Sequence, residues 1–220
     1  SMLPIELRPE GPADFRAVEE LTRDAFWNHH GPGCGEHYLA HILRDSQDFV
    51  PELDYVAVHD GIVVGNIMYT RARIVLDRGG EREVLCFGPL AVAPAFQGQG
   101  VGGALIERTK ELARELGYAA ILIFGDPDYY SRFGFVPAER YGIGTAWGVF
   151  IISLQALELR TGALADCEGY FAESESFQMD PAEADAFDKC FPSREKRAGL
   201  PSQERFQWII QQTKPRCPRG

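Results

Sequence analysis

A chain of 220 residues with 32 acidic and 22 basic side chains carries a net charge of −10, which repels phosphate backbones and speaks against nucleic acid as a main partner. Its length and its 45% hydrophobic content allow a real core, as one domain with an extension or two small ones. No apolar run reaches the roughly 18 residues that span a bilayer, so no membrane partner is expected.

At the N-terminus, SMLPIELRPE has neither a basic n-region nor an apolar h-region; no signal peptide is expected, and Ser1 ahead of Met2 reads as a cloning remnant. IELRP (5–9) is a short strand candidate. In GPADFRAVEELTRDAFW, Pro12 suits a helix first turn, and Phe15, Val18, Leu21, Thr22 and Ala25 recur at helical spacing. HHGPGCG (29–35) breaks that helix, and EHYLAHILRD (36–45) reads as a second one. DYVAVHDGIVVGNIMYTRARIVL (54–76) alternates as two strands around a tight HDG turn, DRGGERE (77–83) turns again, and VLCFGPLAVA (84–93) is a further strand. Pro89 inside it predicts a bulge or a splayed edge. GVGGALIERTKELARELG is the best-defined helix, with Val101, Leu105, Leu112 and Leu116 on one face and Gly117 as C-cap. AAILIF (119–124) predicts a strand buried on both faces, DPDYYSRFGF (126–135) a short helix or turn, and GVFIISLQALEL (148–159) one more strand. Residues 166–188 hold acids and no bases, the remainder is mostly basic, and SQERFQWIIQQ (202–212) predicts a capped amphipathic helix.

The informative stretch is LAVAPAFQGQGVGGALIE, where four glycines between Gly98 and Gly103 precede the long helix. A P-loop needs a lysine after its glycines, and none follows. Gly98, Gly100 and Gly103 satisfy the dinucleotide-binding G-x-G-x-x-G by letter, with Asp126 near the place of the ribose-binding acid. Two features of context oppose that reading: PAFQ separates the strand from the glycines, and several strands precede the motif. Gln97, Gly100 and Gly102 match Q/R-x-x-G-x-G/A instead, GPLAV lies before them, a buried strand follows the helix, and Tyr130, Arg132, Gly134 and Phe135 match Y-x-K/R-x-G-F. On these residues, over positions 4–140, the chain resembles the GNAT family of acyl-CoA-dependent N-acetyltransferases, and within it small bacterial-type members.

The resemblance implies an α/β (α+β) fold with a mixed, twisted central sheet, a splayed strand pair and helices on both faces, residues 1–145 forming the core and 146–220 a C-terminal strand and appendage. It implies acetyl-CoA as co-substrate and direct transfer of an acetyl or short acyl group to a small-molecule or protein amine. The physics of the stretch agrees. A helix N-terminus offers free N–H groups and partial positive charge to a pyrophosphate, and the backbone of Gln97, Gly98, Gln99, Gly100, Val101, Gly102 and Gly103 can curl onto it as a nest. If the Pro89 strand parts from its neighbour, Leu90, Ala91 and Val92 offer main-chain groups to the pantetheine arm, as an added strand would use them. Tyr130 is the candidate catalytic residue, a phenol able to donate to the departing thiolate; Asp126 and Phe133 are candidate cofactor contacts, though an acid at a strand end equally caps the next turn. A non-catalytic acyl-CoA sensor of the same fold is the rival reading.

No general base is evident: where some relatives of that family carry a carboxylate before the motif, this chain has LCF (85–87). His29, His30, Cys34, Glu36, His37 and His41 crowd the connection between the first helices. His37 and His41 share a helix face at a spacing that can bind zinc, but H-E-x-x-H is absent; a mobile polar loop lining the acceptor pocket, without a metal, is the expectation. Cys34, Cys86, Cys167, Cys190 and Cys217 are an odd number without a C-x-x-C pair, which predicts reduced thiols and a cytoplasmic location. The appendage covers the pocket, supports a homodimer, docks a partner protein or is a solvated tail, and its composition does not choose.

Overall fold

The computed structural model describes residues 3–218, so Ser1 and Met2 lie outside the described residues. Its strands are β1 (Glu6–Pro9), β2 (Tyr55–His59), β3 (Ile62–Leu76), β4 (Glu81–Val92), β5 (Ala120–Phe124), β6 (Val136–Pro137), β7 (Ile143–Thr145), β8 (Val149–Ile151), β9 (Leu154–Glu158), β10 (Gly169–Ala172) and β11 (Thr213–Pro215). The helices are α1 (Phe15–Phe26), α2 (Glu36–Leu43), α3 (Val101–Glu115), α4 (Pro127–Tyr130), α5 (Pro181–Asp188) and α6 (Pro201–Ile210). Two compact units share the chain: one holds the residues up to Tyr69, Gly88–Thr109 and Glu175–Arg205, the other Thr70–Phe87, Lys110–Ser174 and the residues from Phe206 on.

In the first unit, β1, β2 and the start of β3 pair antiparallel in sequence order, Glu6↔Val58 to Pro9↔Tyr55 and Tyr55↔Ile67 to His59↔Ile62. The HDG turn falls where the alternation places it, with a register shift between Ala57 and Val58. The periodic residues of α1 and α2 supply the core: Val18, Leu39, Ala40 and Leu43 pack with Phe49, Val56 and Met68. Beside this core lies a buried charged network. Arg44 bonds Glu10 through Nε at 2.8 Å and Glu19 through Nη1 at 2.6 Å, with all three side chains at most 8% exposed.

Asp54, also buried, accepts from Asn66 Nδ2 at 3.0 Å. Burial and the neighbouring Glu10 carboxylate push its pKa well above the carboxylate range. The folded state therefore holds a proton that the unfolded chain releases near pH 4. The corresponding stability is full below that pH and is lost as pH rises through the folded pKa. Asp54→Asn keeps an acceptor for Asn66 and removes the titration. Urea unfolding at pH 5 and pH 9 is expected to show a smaller loss of midpoint with pH in the variant than in the parent.

In the second unit the order is β3, β4, β5, β9, β6, with β10 pairing both β3 and β7. The sheet is mixed: β4 with β5 and β10 with β7 run parallel, and β5 with β9, β6 with β9 and β10 with β3 antiparallel. Strand β5 is buried from Ala120 to Ile123, as its unbroken apolar run predicts. Three expectations need correction. The run 148–159 is two strands, β8 and β9, separated by a turn at Ile152–Ser153; β8 pairs β11 while β9 pairs β5. Leu116 is 52% exposed because it sits at the C-cap, one residue past α3, where Gly117 N–H bonds Arg114 O and Tyr118 N–H bonds Ala113 O; Thr109 and Ala113 occupy the buried row instead. Pro89 lies in an interior strand, not at an edge, since β4 has β3 on one side and β5 on the other.

Candidate functional site

Among the described residues the register of β4 with β5 is Leu85↔Ile121, ahead of the cis Gly88–Pro89 bond. Ala93 N–H bonds Val64 O at 2.9 Å, so by strand alternation the main-chain groups of Ala91 point toward β3 and those of Leu90 and Val92 point away from it. After β4 a single 3₁₀ turn, Pro94–Phe96, leads into the glycine loop. Gly98 and Gly100 have φ of +74° and +85°, a region that side chains with a Cβ rarely enter. Gly100 O accepts from Ala104 N–H at 3.0 Å, so Gly100 is the N-cap of α3 and the N–H groups of Val101, Gly102 and Gly103 have no intrahelical acceptor.

The two glutamines brace this loop. Gln97 Nε2 donates to Val92 O at 3.0 Å and Gln99 Nε2 to Ala95 O at 3.2 Å. Their side-chain amides thus hold the loop's shape, and Gln97 N–H is itself bonded to Pro94 O at 3.4 Å. Sequence reading missed a third element, Gly65 on β3. A Cβ there would stand 2.9 Å from Val101 Cγ1 and 3.1 Å from Leu105 Cδ1, so the first turn of α3 sits directly on the strand backbone. A lone glycine inside an apolar strand was the available signal.

In the second unit, Asp126 caps α4, its carboxylate accepting from Asp128 N–H at 2.9 Å. The short helix turns Tyr130 back over Gly125: a Cβ on Gly125 would fall 2.2 Å from Tyr130 Cε2. The ring is held by Phe87 at 5.8 Å, Phe135 at 5.7 Å and Tyr129 at 5.0 Å between centroids, and Phe133 packs on Tyr129 at 5.3 Å. The Y-x-R-x-G-F letters are therefore the residues of one aromatic nest, closed by Gly134 in the left-handed region at φ +91°.

Residues 52–137 match the model of the acetyltransferase (GNAT) domain. An uncharacterized N-acetyltransferase of Escherichia coli, YhbS, is 30% identical over 172 residues, 78% of this chain and 97% of that protein. The chain belongs to the GNAT family of N-acetyltransferases. The crystal structure of YhbS in complex with CoA superposes with a TM-score of 0.71 at 28% identity, over 81% of this chain and 94% of that one. A GNAT family acetyltransferase from Brucella melitensis, in complex with acetyl-CoA, gives 0.64 at 28% identity, over 79% and 98%.

The histidine-rich connection of this GNAT chain does not behave as one unit. His29 and His30 are exposed, with rings 4.8 Å apart, and crowding by protein, with His29 beside it, lowers the His30 pKa. His41 Nδ1 bonds Glu19 Oε2 at 3.0 Å. His37, expected on a polar loop, is fully buried: Nε2 reaches Asp188 Oδ1 at 2.8 Å, Phe191 packs edge-on at 5.1 Å, and Nδ1 lies 3.5 Å from Cys34 Sγ. Nε2 carries the proton to Asp188, which leaves Nδ1 to accept from the thiol. The order Cys–His–Asp imitates a nucleophilic triad, but burial and Glu36 push the Cys34 thiol up to about 12, so it stays protonated. Among the described residues no three His, Cys, Asp or Glu side chains gather where they could hold a metal ion, and no helix is long and apolar enough to cross a membrane.

Proposed function

We propose that the protein transfers an acetyl or other short acyl group from acetyl-CoA to an amine, by direct attack in a ternary complex, in the cytoplasm. The observation that carries this reading is the glycine loop: two left-handed glycines and the open N-terminus of α3, braced by Gln97 against the end of β4. Such a nest binds a pyrophosphate without a cationic side chain, which suits an acidic chain. Leu90 and Val92 lend main-chain groups to the pantetheine arm, and an N–H of β4 polarises the thioester carbonyl.

In the reaction the amine nitrogen forms a bond to the thioester carbon, the carbon–sulfur bond breaks, Tyr130 supplies the proton that the thiolate takes, and the proton the nitrogen loses restores the phenol. The test is calorimetric titration with acetyl-CoA, with NADH in parallel, followed by turnover with an amine panel. Micromolar binding of acetyl-CoA without NADH binding is the expected result; NADH binding alone overturns the reading.

Gly125→Ala probes the tyrosine's placement without touching it. The new methyl occupies the space of the Tyr130 ring, and the ring must swing away. The ring is packed by Phe87, Phe135 and Tyr129, so displacing it costs roughly 1–3 kcal/mol. Steady-state kinetics are expected to show kcat lowered about tenfold or more, with the unfolding midpoint lowered by that loss of stability.

A further inference from the structure

The family model ends at residue 137, and well beyond it the chain returns to the first unit, which holds residues 175–205 together with the end of β4 and the glycine loop. The returning segment is fixed along its length to α1, α2 and the residues around them. Gln178 N–H bonds Glu175 O at 2.9 Å and closes a 3₁₀ turn, Glu175–Phe177, and Ser176 Oγ donates to Ser46 Oγ at 2.6 Å. Met179 Cε stands 3.3 Å from where a Cβ on Gly35 would lie. Further on, Tyr38 Oη donates to Glu183 at 2.9 Å, Asp188 accepts from Arg23 and His37, and Arg16 Nη2 donates to Cys190 O at 3.0 Å. The segment is a fixed wall of this unit.

Phe177 is the residue of that wall that meets β4. It is half-buried and packs with Met179 against the core between α1, α2 and the sheet. Its Cε1 lies 3.8 Å from the Cβ position of Gly88, an ordinary van der Waals contact. A Cβ is one bond from its Cα, so no further carbon fits between the ring and the Gly88 backbone on that side. Gly88 has a φ of +150°, where a side chain is strained, so the backbone beneath the ring stays bare. Two residues on, roughly 7 Å along the strand, Leu90 turns its main-chain groups away from β3.

Resting on the acetyltransferase reading above, we propose that Phe177 sets the length of the acyl group, admitting acetyl and excluding butyryl and longer chains. The arm of acyl-CoA runs from the nest at the start of α3 along the free edge of β4, past Val92 to Leu90. With the thioester carbonyl on Leu90 N–H, the sulfur lies toward Val92 and the acyl carbons continue toward Gly88. An acetyl methyl ends between Leu90 and Gly88. A butyryl tail reaches Gly88, where the ring stands with the α1–α2 core behind it. The ring bounds the acyl chain rather than the amine, because a nucleophile approaches a carbonyl from above its plane whereas the acyl chain leaves within that plane.

Calorimetry with CoA, acetyl-CoA, butyryl-CoA and hexanoyl-CoA tests this without an acceptor, in the parent, Phe177→Ala and Phe177→Leu. The parent is expected to bind butyryl-CoA about tenfold or more weakly than acetyl-CoA, and hexanoyl-CoA more weakly still, the penalty of forcing methylenes into packed space. Phe177→Ala is expected to bring butyryl-CoA to within about twofold of acetyl-CoA, with Phe177→Leu in between. CoA has no acyl carbon, so its binding reports that each variant is folded. Should Phe177→Ala lose CoA, Phe177→Leu keeps an apolar contact with the core and carries the test. Equal binding of acetyl-CoA and butyryl-CoA by the parent overturns the proposal. A butyryl-CoA penalty that persists undiminished in the variants does so too, and hands the ring to the acceptor; loss of CoA binding in both variants does so by making the ring a part of the fold alone. A parent that binds neither CoA nor acetyl-CoA overturns the acetyltransferase reading itself.

Discussion

Tyr130→Phe is expected to lower kcat by about 10²–10⁴-fold, the range for removing a general acid, while acetyl-CoA binds as before. The substitution deletes one hydroxyl and keeps the ring, so the contacts with Phe87, Phe135 and Tyr129 survive. The loss belongs to the transition state, where the thiolate leaves, and it appears in kcat and kcat/KM together. Calorimetry with acetyl-CoA and steady-state kinetics on the same preparation check both halves. Normal turnover would assign Tyr130 to packing; lost binding would make it a cofactor contact.

The second large effect falls on stability. Asp188, at the end of α5, receives Arg23 Nε at 2.7 Å and His37 Nε2 at 2.8 Å, and those two side chains are 5% and 0% exposed. Asp188→Ala strands a buried guanidinium and a buried imidazole N–H, and such losses run to about 3–5 kcal/mol; partial exposure of Asp188 sets the expectation at about 3 kcal/mol. Urea unfolding measures it. The same cluster fixes a pH dependence. Desolvation holds the folded pKa of His37 below the unfolded value, so the unfolded chain binds the extra proton and stability falls as pH drops below about 6.5. Arg23 and His37 hold Asp188 below its unfolded pKa despite desolvation, which adds a further loss below about pH 4. Asp188→Ala removes the second of these losses. Its stability is expected to be low and flatter between pH 5 and pH 3.

What the sequence determined by itself is what short-range chemistry dictates. The glycine loop could be read because left-handed backbone, helix start and amphipathic period all lie within one stretch, 98–115. Tyr130 could be read because its aromatic nest is built largely from neighbours in the chain, Tyr129 and Phe135. Asp126 offered both a cap and a contact, and the fold shows the cap. The tertiary structure alone decided what depends on register between distant segments. Asp188 meets Arg23 and His37 across 165 and 151 residues, and nothing in an acidic run says which of its carboxylates will be buried. Gly65 looked like any strand glycine until α3 was laid on it. A pattern of period 2 or 3.6 tells which face a residue occupies, while the partner across that face is fixed only when the strands take their places.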